Sequence, residues 1–262
     1  PVSFVSCPMS TSPFFRERVL AGEWLAGTFL NLGSPLTAEI AGRAGFDWLM
    51  LDFEHGPGSD ETLLQQLQAV SGTAAATIVR LAANETPRFK RALDLGAGGV
   101  MVPYVNNAEE ARAAVAAVRY PPHGIRGVSK FNRAAGFGQD FDDYYAHSHE
   151  RLVTMAQIET PEALLNLDAI ASVDGVDVLF VGPLDLTTNM GIQGQFEHPA
   201  FVQARLQVAQ AARRAGKAAG ILATAPTQVS TLQAEGYTVL ALGSDGAAVS
   251  SGLRQALASL RA

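Results

Sequence analysis

Residues 152–185, LVTMAQIETPEALLNLDAIASVDGVDVLFVGPLD, contain one full period of the chain. A largely apolar run, 152–158, is followed by a segment, 161–171, entered through Thr160 and Pro161, and then by the apolar run 178–181. Threonine ahead of a first-turn proline is a helix start, because proline's fixed φ suits that turn and its missing N–H has no partner to lose there. A strand that is apolar at consecutive positions is covered on both faces, the condition of a parallel sheet lying under helices. The same beat runs through the chain. Candidate strands fall at 25–30, 48–52, 77–80, 99–102, 152–158, 178–181, 218–222 and 239–242. Helical patterns lie between and after them, at 35–44, 60–70, 87–95, 108–118, 161–171, 199–215, 227–234 and 246–260. Eight strand–helix units in about 250 residues predict an α/β fold of one domain, a (β/α)8 TIM barrel over 14–262. A doubly wound open sheet is the alternative, but no G-x-G-x-x-G or Walker A sequence follows the first strand. The connection 119–145 breaks the rhythm, and so long an insertion is expected to be functional.

Composition sets limits on partners. The 262 residues are 48% hydrophobic and 17% charged, enough apolar material for a large core. The net charge is −6 and the 19 Lys and Arg are scattered, which argues against nucleic acid or an anionic membrane as partner. The apolar runs end in Gly, Pro or charge well short of a membrane span. The single cysteine, Cys7, cannot form an internal disulfide, which suits a reducing, cytoplasmic compartment. Residues 1–13 are expected to be a loose extension, and the first eight lack the basic start and long apolar stretch of a signal peptide.

In a barrel of this kind the active site lies at the C-terminal ends of the strands. Polar residues collect there. The second strand empties into Asp52, Glu54 and His55, which could be a metal site, a catalytic base or a polar turn. The third ends in Arg80, the fifth delivers Gln157 and Glu159, and the sixth is followed by Gly182, Pro183 and Asp185. Two carboxylates from neighbouring strands, Glu159 and Asp185, suit a hard, partly hydrated divalent cation such as Mg²⁺ or Mn²⁺. The competing reading makes both acids helix N-caps. Arg80, ending a buried strand, either pairs with an internal acid or waits for a carboxylate-bearing ligand. His55 is either a turn histidine or, beside Arg80 and a metal, a general base. Trp24 is core packing or a pocket wall. His147, His149 and His198 are expected to be surface or structural residues.

The segments AGFDWLMLDFEHGP, LDLGAGGVMVPYVNNAEEARAAVAAVRYPPHGIRGV, QIETPEALLNLDAIASVDGVDVLFVGPLDL and GKAAGIL resemble the metal-dependent (class II) pyruvate aldolases. That is the family of 4-hydroxy-2-oxoheptanedioate and 2-dehydro-3-deoxyglucarate aldolases. The resemblance runs from about Phe14 to the C-terminus and agrees with the barrel. It implies a homo-hexamer that exchanges the last helix between subunits, and reversible cleavage of 4-hydroxy-2-oxo acids to pyruvate, or a similar 2-oxo acid such as hydroxypyruvate, and an aldehyde. It also implies a divalent cation (Mg²⁺, Mn²⁺ or Co²⁺) that stabilises an enolate. By the family's pattern Glu159 and Asp185 match the metal ligands, His55 the proton acceptor and Arg80 the residue that stabilises the transition state. Gln157, Leu184 and Asp185 match substrate contacts, and Gly182, Pro183, Leu222 and Trp24 are expected to complete the pocket. Asp94 matches an acid that raises the basicity of the histidine. Yet a helix over 87–95 runs down from the mouth, so Asp94 should reach only the His55 of a neighbouring subunit, with Asp52 the rival partner within one chain. Phe53, Leu81 and the loop 129–140 depart from the family and put the aldehyde specificity in question. A CoA-ester lyase or thioesterase on the same kind of barrel is the alternative function, with Lys130 and Arg133 as the phosphate-binding candidates. A non-catalytic barrel would carry a broken site, and this one reads as complete.

Overall fold

Alternation along each strand sorts the apolar residues into two cores. A computed structural model describes residues 14–261, with strands β1 (Leu25–Leu30), β2 (Trp48–Asp52), β3 (Ala76–Arg80), β4 (Gly99–Val102), β5 (Val153–Ile158), β6 (Val178–Val181), β7 (Ala218–Ala223) and β8 (Tyr237–Ser244). They pair in parallel and close into a barrel in chain order. Trp48, Met50, Ile78, Met101, Met155, Phe180 and Val239 point inward and fill it. Leu49, Leu51, Val79, Val100, Leu179 and Val181 point outward against the helices. Gly27 is required by the inner packing: a Cβ there would collide with the indole of Trp48.

The helices are α1 (Phe15–Leu20), α2 (Pro35–Arg43), α3 (Asp60–Val70), α4 (Thr86–Asp94), α5 (Ala108–Val118), α6 (Phe141–Arg151), α7 (Pro161–Leu165), α8 (Leu167–Ala171), α9 (Pro183–Asn189), α10 (Pro199–Arg214), α11 (Val229–Ala234) and α12 (Asp245–Arg261). Side-chain caps start several of them: Ser34, Ser59, Asn107 and Thr160 accept from the backbone N–H three residues on. The segment expected as one helix over 161–171 is two, broken at Asn166, whose amide turns aside to donate to the Asn106 carbonyl (2.9 Å). α1, α6 and α9 were not expected, because each is short or lacks a clear apolar stripe.

Two features bear on function. The insertion over 119–145 joins the end of α5 to α6 and the start of β5, so it lies on the N-terminal face of the barrel. From Ala247 to Arg261 every residue of α12 is exposed, including Val249, Leu253, Leu257 and Leu260. Among the described residues no helix is long and apolar enough to cross a membrane. The proposed extension over 1–13 and Cys7 fall outside the described residues.

Candidate active site

Adjacent parallel strands bring Asp52 and Arg80 into register, both directed into the mouth of the barrel. Arg80 Nε donates to Asp52 Oδ1 (3.0 Å) and Nη2 to Oδ2 (2.7 Å), while Nη1 lies 3.2 Å from Glu54 Oε2. The guanidinium sits 5.2 Å from the centroid of the Phe29 ring, a cation–π contact inside the barrel. Asp52 Oδ1 also accepts the backbone N–H groups of Glu54 (3.1 Å) and His55 (3.2 Å), which closes the turn after β2. Burial pushes the Asp52 carboxyl up, but Arg80 and the two N–H groups together outweigh it and hold the group below its ordinary value.

Glu159 follows β5 and is 1% exposed. Its Oε1 accepts from Gln157 Nε2 (2.6 Å) and its Oε2 from the Tyr104 backbone N–H (3.1 Å). Gly182 makes the space, since a Cβ there would strike the Glu159 carboxylate. Asp185, in the first turn of α9, accepts from the Tyr104 hydroxyl (3.3 Å). Burial is the main influence on Glu159 and raises its carboxyl to about 8; the Tyr104 N–H opposes this, and the charges of Asp185 and Glu54 add to it. Burial also raises Glu54, against the pull of Arg80 and His55 and with the push of Asp52 and Asp185. Glu54, Glu159 and Asp185 therefore crowd a site whose one arginine already forms a bidentate pair with Asp52. Glu54 Oε2 and Gln157 Oε1 are buried without a hydrogen bond.

The profile of the HpcH/HpaI aldolase/citrate lyase family matches residues 25–251. The chain belongs to this family. It is a lyase of the aldolase kind. It is 43% identical over 231 residues to the 5-keto-4-deoxy-D-glucarate aldolase of Salmonella arizonae, covering 88% of this chain and 90% of that one. The crystal structure of an HpcH/HpaI aldolase/citrate lyase family protein from Burkholderia cenocepacia superposes with a TM-score of 0.90 at 34% identity, over 94% of this chain and 98% of that one. The HpcH/HpaI aldolase of Desulfitobacterium hafniense does so at 0.88 and 29% identity, over 95% and 97%.

Within this family member, Asp52, Arg80, Gln157, Glu159, Gly182, Pro183 and Asp185 gather at the mouth, with Leu222 against the inner core near the end of β7 and Leu184 exposed on α9. His55 stands over them, its side chain 62% exposed and Nε2 3.9 Å from Glu54 Oε2. The expectations for Trp24, for Asp52 as the partner of His55, and for Phe53 and Leu81 need correction. Trp24 precedes β1, 47% exposed at the N-terminal end, so it lies on the wrong face for a pocket wall in its own barrel. Asp52 meets His55 only through the backbone N–H, because its carboxylate is taken by Arg80. Of the two alternatives for Arg80, the structure shows the pair with an internal acid. Asp94 closes α4 at the far face, where its Oδ1 accepts from Arg126 Nη2 (2.7 Å). Phe53 and Leu81 line a groove of ≈ 1110 Å³ between α3 and α4 that runs to Asp94, Arg133 and Phe137, rather than the mouth. His147, on α6, is exposed and pairs with Glu150 (3.2 Å), as a surface histidine should.

Phe29 and Tyr104 were not among the site residues inferred from sequence, and Glu54 was named there only as part of the turn after the second strand. Tyr104 follows β4 and obeys the same strand-end rule as the others. In sequence a Pro-Tyr pair after a strand reads as a turn.

Proposed function

We propose that the chain cleaves 4-hydroxy-2-oxo acids reversibly to pyruvate, or a related 2-oxo acid such as hydroxypyruvate, and an aldehyde, using a divalent cation (Mg²⁺, Mn²⁺ or Co²⁺) held by Glu159 and Asp185. The observation that supports this reading is a surplus of acid around the buried Glu159: Asp185 and Glu54 face it while Arg80 forms its bidentate pair with Asp52. Carboxylate oxygens suit a hard cation, and two protein ligands leave positions for water and substrate oxygens. Among the described residues no group of three or more Asp, Glu, His or Cys forms a fuller cage. When bound, the cation supplies Lewis-acid polarisation of the 2-oxo carbonyl.

The chain's own groups do the rest. Gln157 and the Tyr104 N–H keep the Glu159 carboxylate oriented. Arg80, fixed by Asp52, stabilises the negative charge that develops on the 2-oxo oxygen as the C3–C4 bond breaks. His55 takes the proton of the C4 hydroxyl at its ring nitrogen as the aldehyde forms, C3 of the enolate takes up a proton to give the 2-oxo acid, and both transfers reverse in the synthetic direction. Pro183, Leu184 and Leu222 wall the pocket. Lys130 and Arg133 belong to the loop on the N-terminal face, where Arg133 Nη1 donates to the Leu95 carbonyl (2.7 Å), so they do not serve CoA phosphates at this mouth.

Assembly follows the same reading, as a homo-hexamer with α12 exchanged. α12 carries an apolar stripe that its own barrel leaves uncovered, and α2 leaves Leu36 (70%) and Ile40 (69%) open to receive such a helix. In the oligomer Asp94 would approach the neighbour's His55. Mixed assemblies of inactive Asp94→Asn and inactive His55→Ala chains should regain activity, and mixtures that stay dead would remove Asp94 from the site. For the reaction itself, pyruvate release is the assay, with 5-keto-4-deoxy-D-glucarate, the substrate named for the relatives, first in a panel of 4-hydroxy-2-oxo acids. Turnover of a CoA ester with no pyruvate from any of them would sink the aldolase reading.

A further inference from the structure

Glu159 and Asp185 come from different strand ends, and something must set the space between them. Among the described residues Tyr104 alone hydrogen-bonds both carboxylates, through its backbone N–H to Glu159 Oε2 (3.1 Å) and its hydroxyl to Asp185 Oδ1 (3.3 Å). We propose that Tyr104 is a positioning residue that holds the two carboxylates at the spacing a divalent cation requires. This rests on the cation site proposed above.

The backbone supports it. Tyr104 has φ 51°, a left-handed conformation that is unusual for a bulky residue. Such a conformation persists where the surroundings over-determine it, and here they do. The Val105 N–H donates to the Gln157 carbonyl (3.2 Å), and Asn106 Nδ2 donates back to the Tyr104 carbonyl (3.0 Å). Asn189 Nδ2, from the last turn of α9, donates to the Glu159 carbonyl (2.9 Å), so α9 and the end of β5 are also tied directly to each other. Groups that orient a ligand without touching the metal typically change affinity by about 10–100-fold when removed.

The test is calorimetric titration of Mn²⁺ into the chelator-stripped full chain. Tyr104→Phe keeps the N–H and loses the hydroxyl, so Mn²⁺ affinity should fall by about tenfold, with an unchanged melting temperature. The kcat should return at saturating Mn²⁺. Tyr104→Asn, which tolerates the left-handed backbone, should weaken Mn²⁺ in the same way and covers the case of a poorly folding Phe variant. Affinity in the folded variants equal to wild type, or a kcat that stays low at saturating Mn²⁺, overturns the proposal. Glu159→Ala separates it from the reading beneath. If Glu159→Ala abolishes Mn²⁺ uptake while both Tyr104 variants bind normally, only the positioning role fails. If uptake survives Glu159→Ala, the cation site and this role fail together.

Discussion

Arg80 and Arg126 are both buried, and they share a plan. Each makes a hydrogen-bonded pair with one aspartate, Asp52 or Asp94, and each packs on aromatic rings. Arg126 lies 4.5 Å from the Tyr120 ring centroid and 5.4 Å from that of Tyr144, and its Nη1 donates to the Tyr144 hydroxyl (3.2 Å). Its one close acid is Asp94, so the charges there balance. Around Arg80 they do not, because Glu54 and Glu159 add their charges to that of Asp52. Charge balance therefore separates a clamp that holds a loop from a site prepared for a ligand.

Arg126→Ala should do the greater damage to folding. It leaves Asp94 without its partner and opens a void beneath two tyrosines, at a cost of about 3–5 kcal/mol. A chemical denaturation midpoint close to wild type would show that the loop over 119–140 does not depend on the pair. Arg80→Lys keeps the charge and should keep the fold, yet kcat should fall by two to three orders of magnitude, about 3–4 kcal/mol, because an ammonium cannot hold Asp52 bidentately and still face the substrate. A lysine variant with near-normal kcat would make Arg80 as structural as Arg126.

The last effect is one of pH. The Glu159 carboxyl is raised from 4.5 to about 8, so the unfolded chain gives up this proton at lower pH than the folded one. That contribution to stability is complete below 4.5 and is lost as pH rises through about 8. Metal-free wild type should therefore lose stability across this window relative to Glu159→Gln. Parallel pH profiles for the two proteins would mean that the acids do not crowd one another.

The barrel was legible because parallel strands buried on both faces have a signature that few other structures produce. β1, β2, β4 and β6 fall on the predicted residues. The acids and the arginine at the mouth were legible for the same reason, since knowing where each strand ends tells which side chains meet. What was not legible came from contacts between distant segments. Nothing near Asp94 in sequence announces Arg126, thirty-two residues on. Whether Arg80 stands free or pairs with Asp52 depends on strand register, which periodicity alone leaves open. Trp24 precedes the first strand, whose direction places it on the opposite face, while Phe29, five residues on, reaches Arg80.

The central claim is that the surplus acid at the mouth exists to hold a cation needed for cleavage. The most direct test is pyruvate release by chelator-stripped protein as Mn²⁺ is restored, in wild type and in Asp185→Ala. Activity should be absent after stripping, return in wild type as one Mn²⁺ per subunit is taken up, and fail to return in Asp185→Ala. Full activity in the stripped protein would contradict the account.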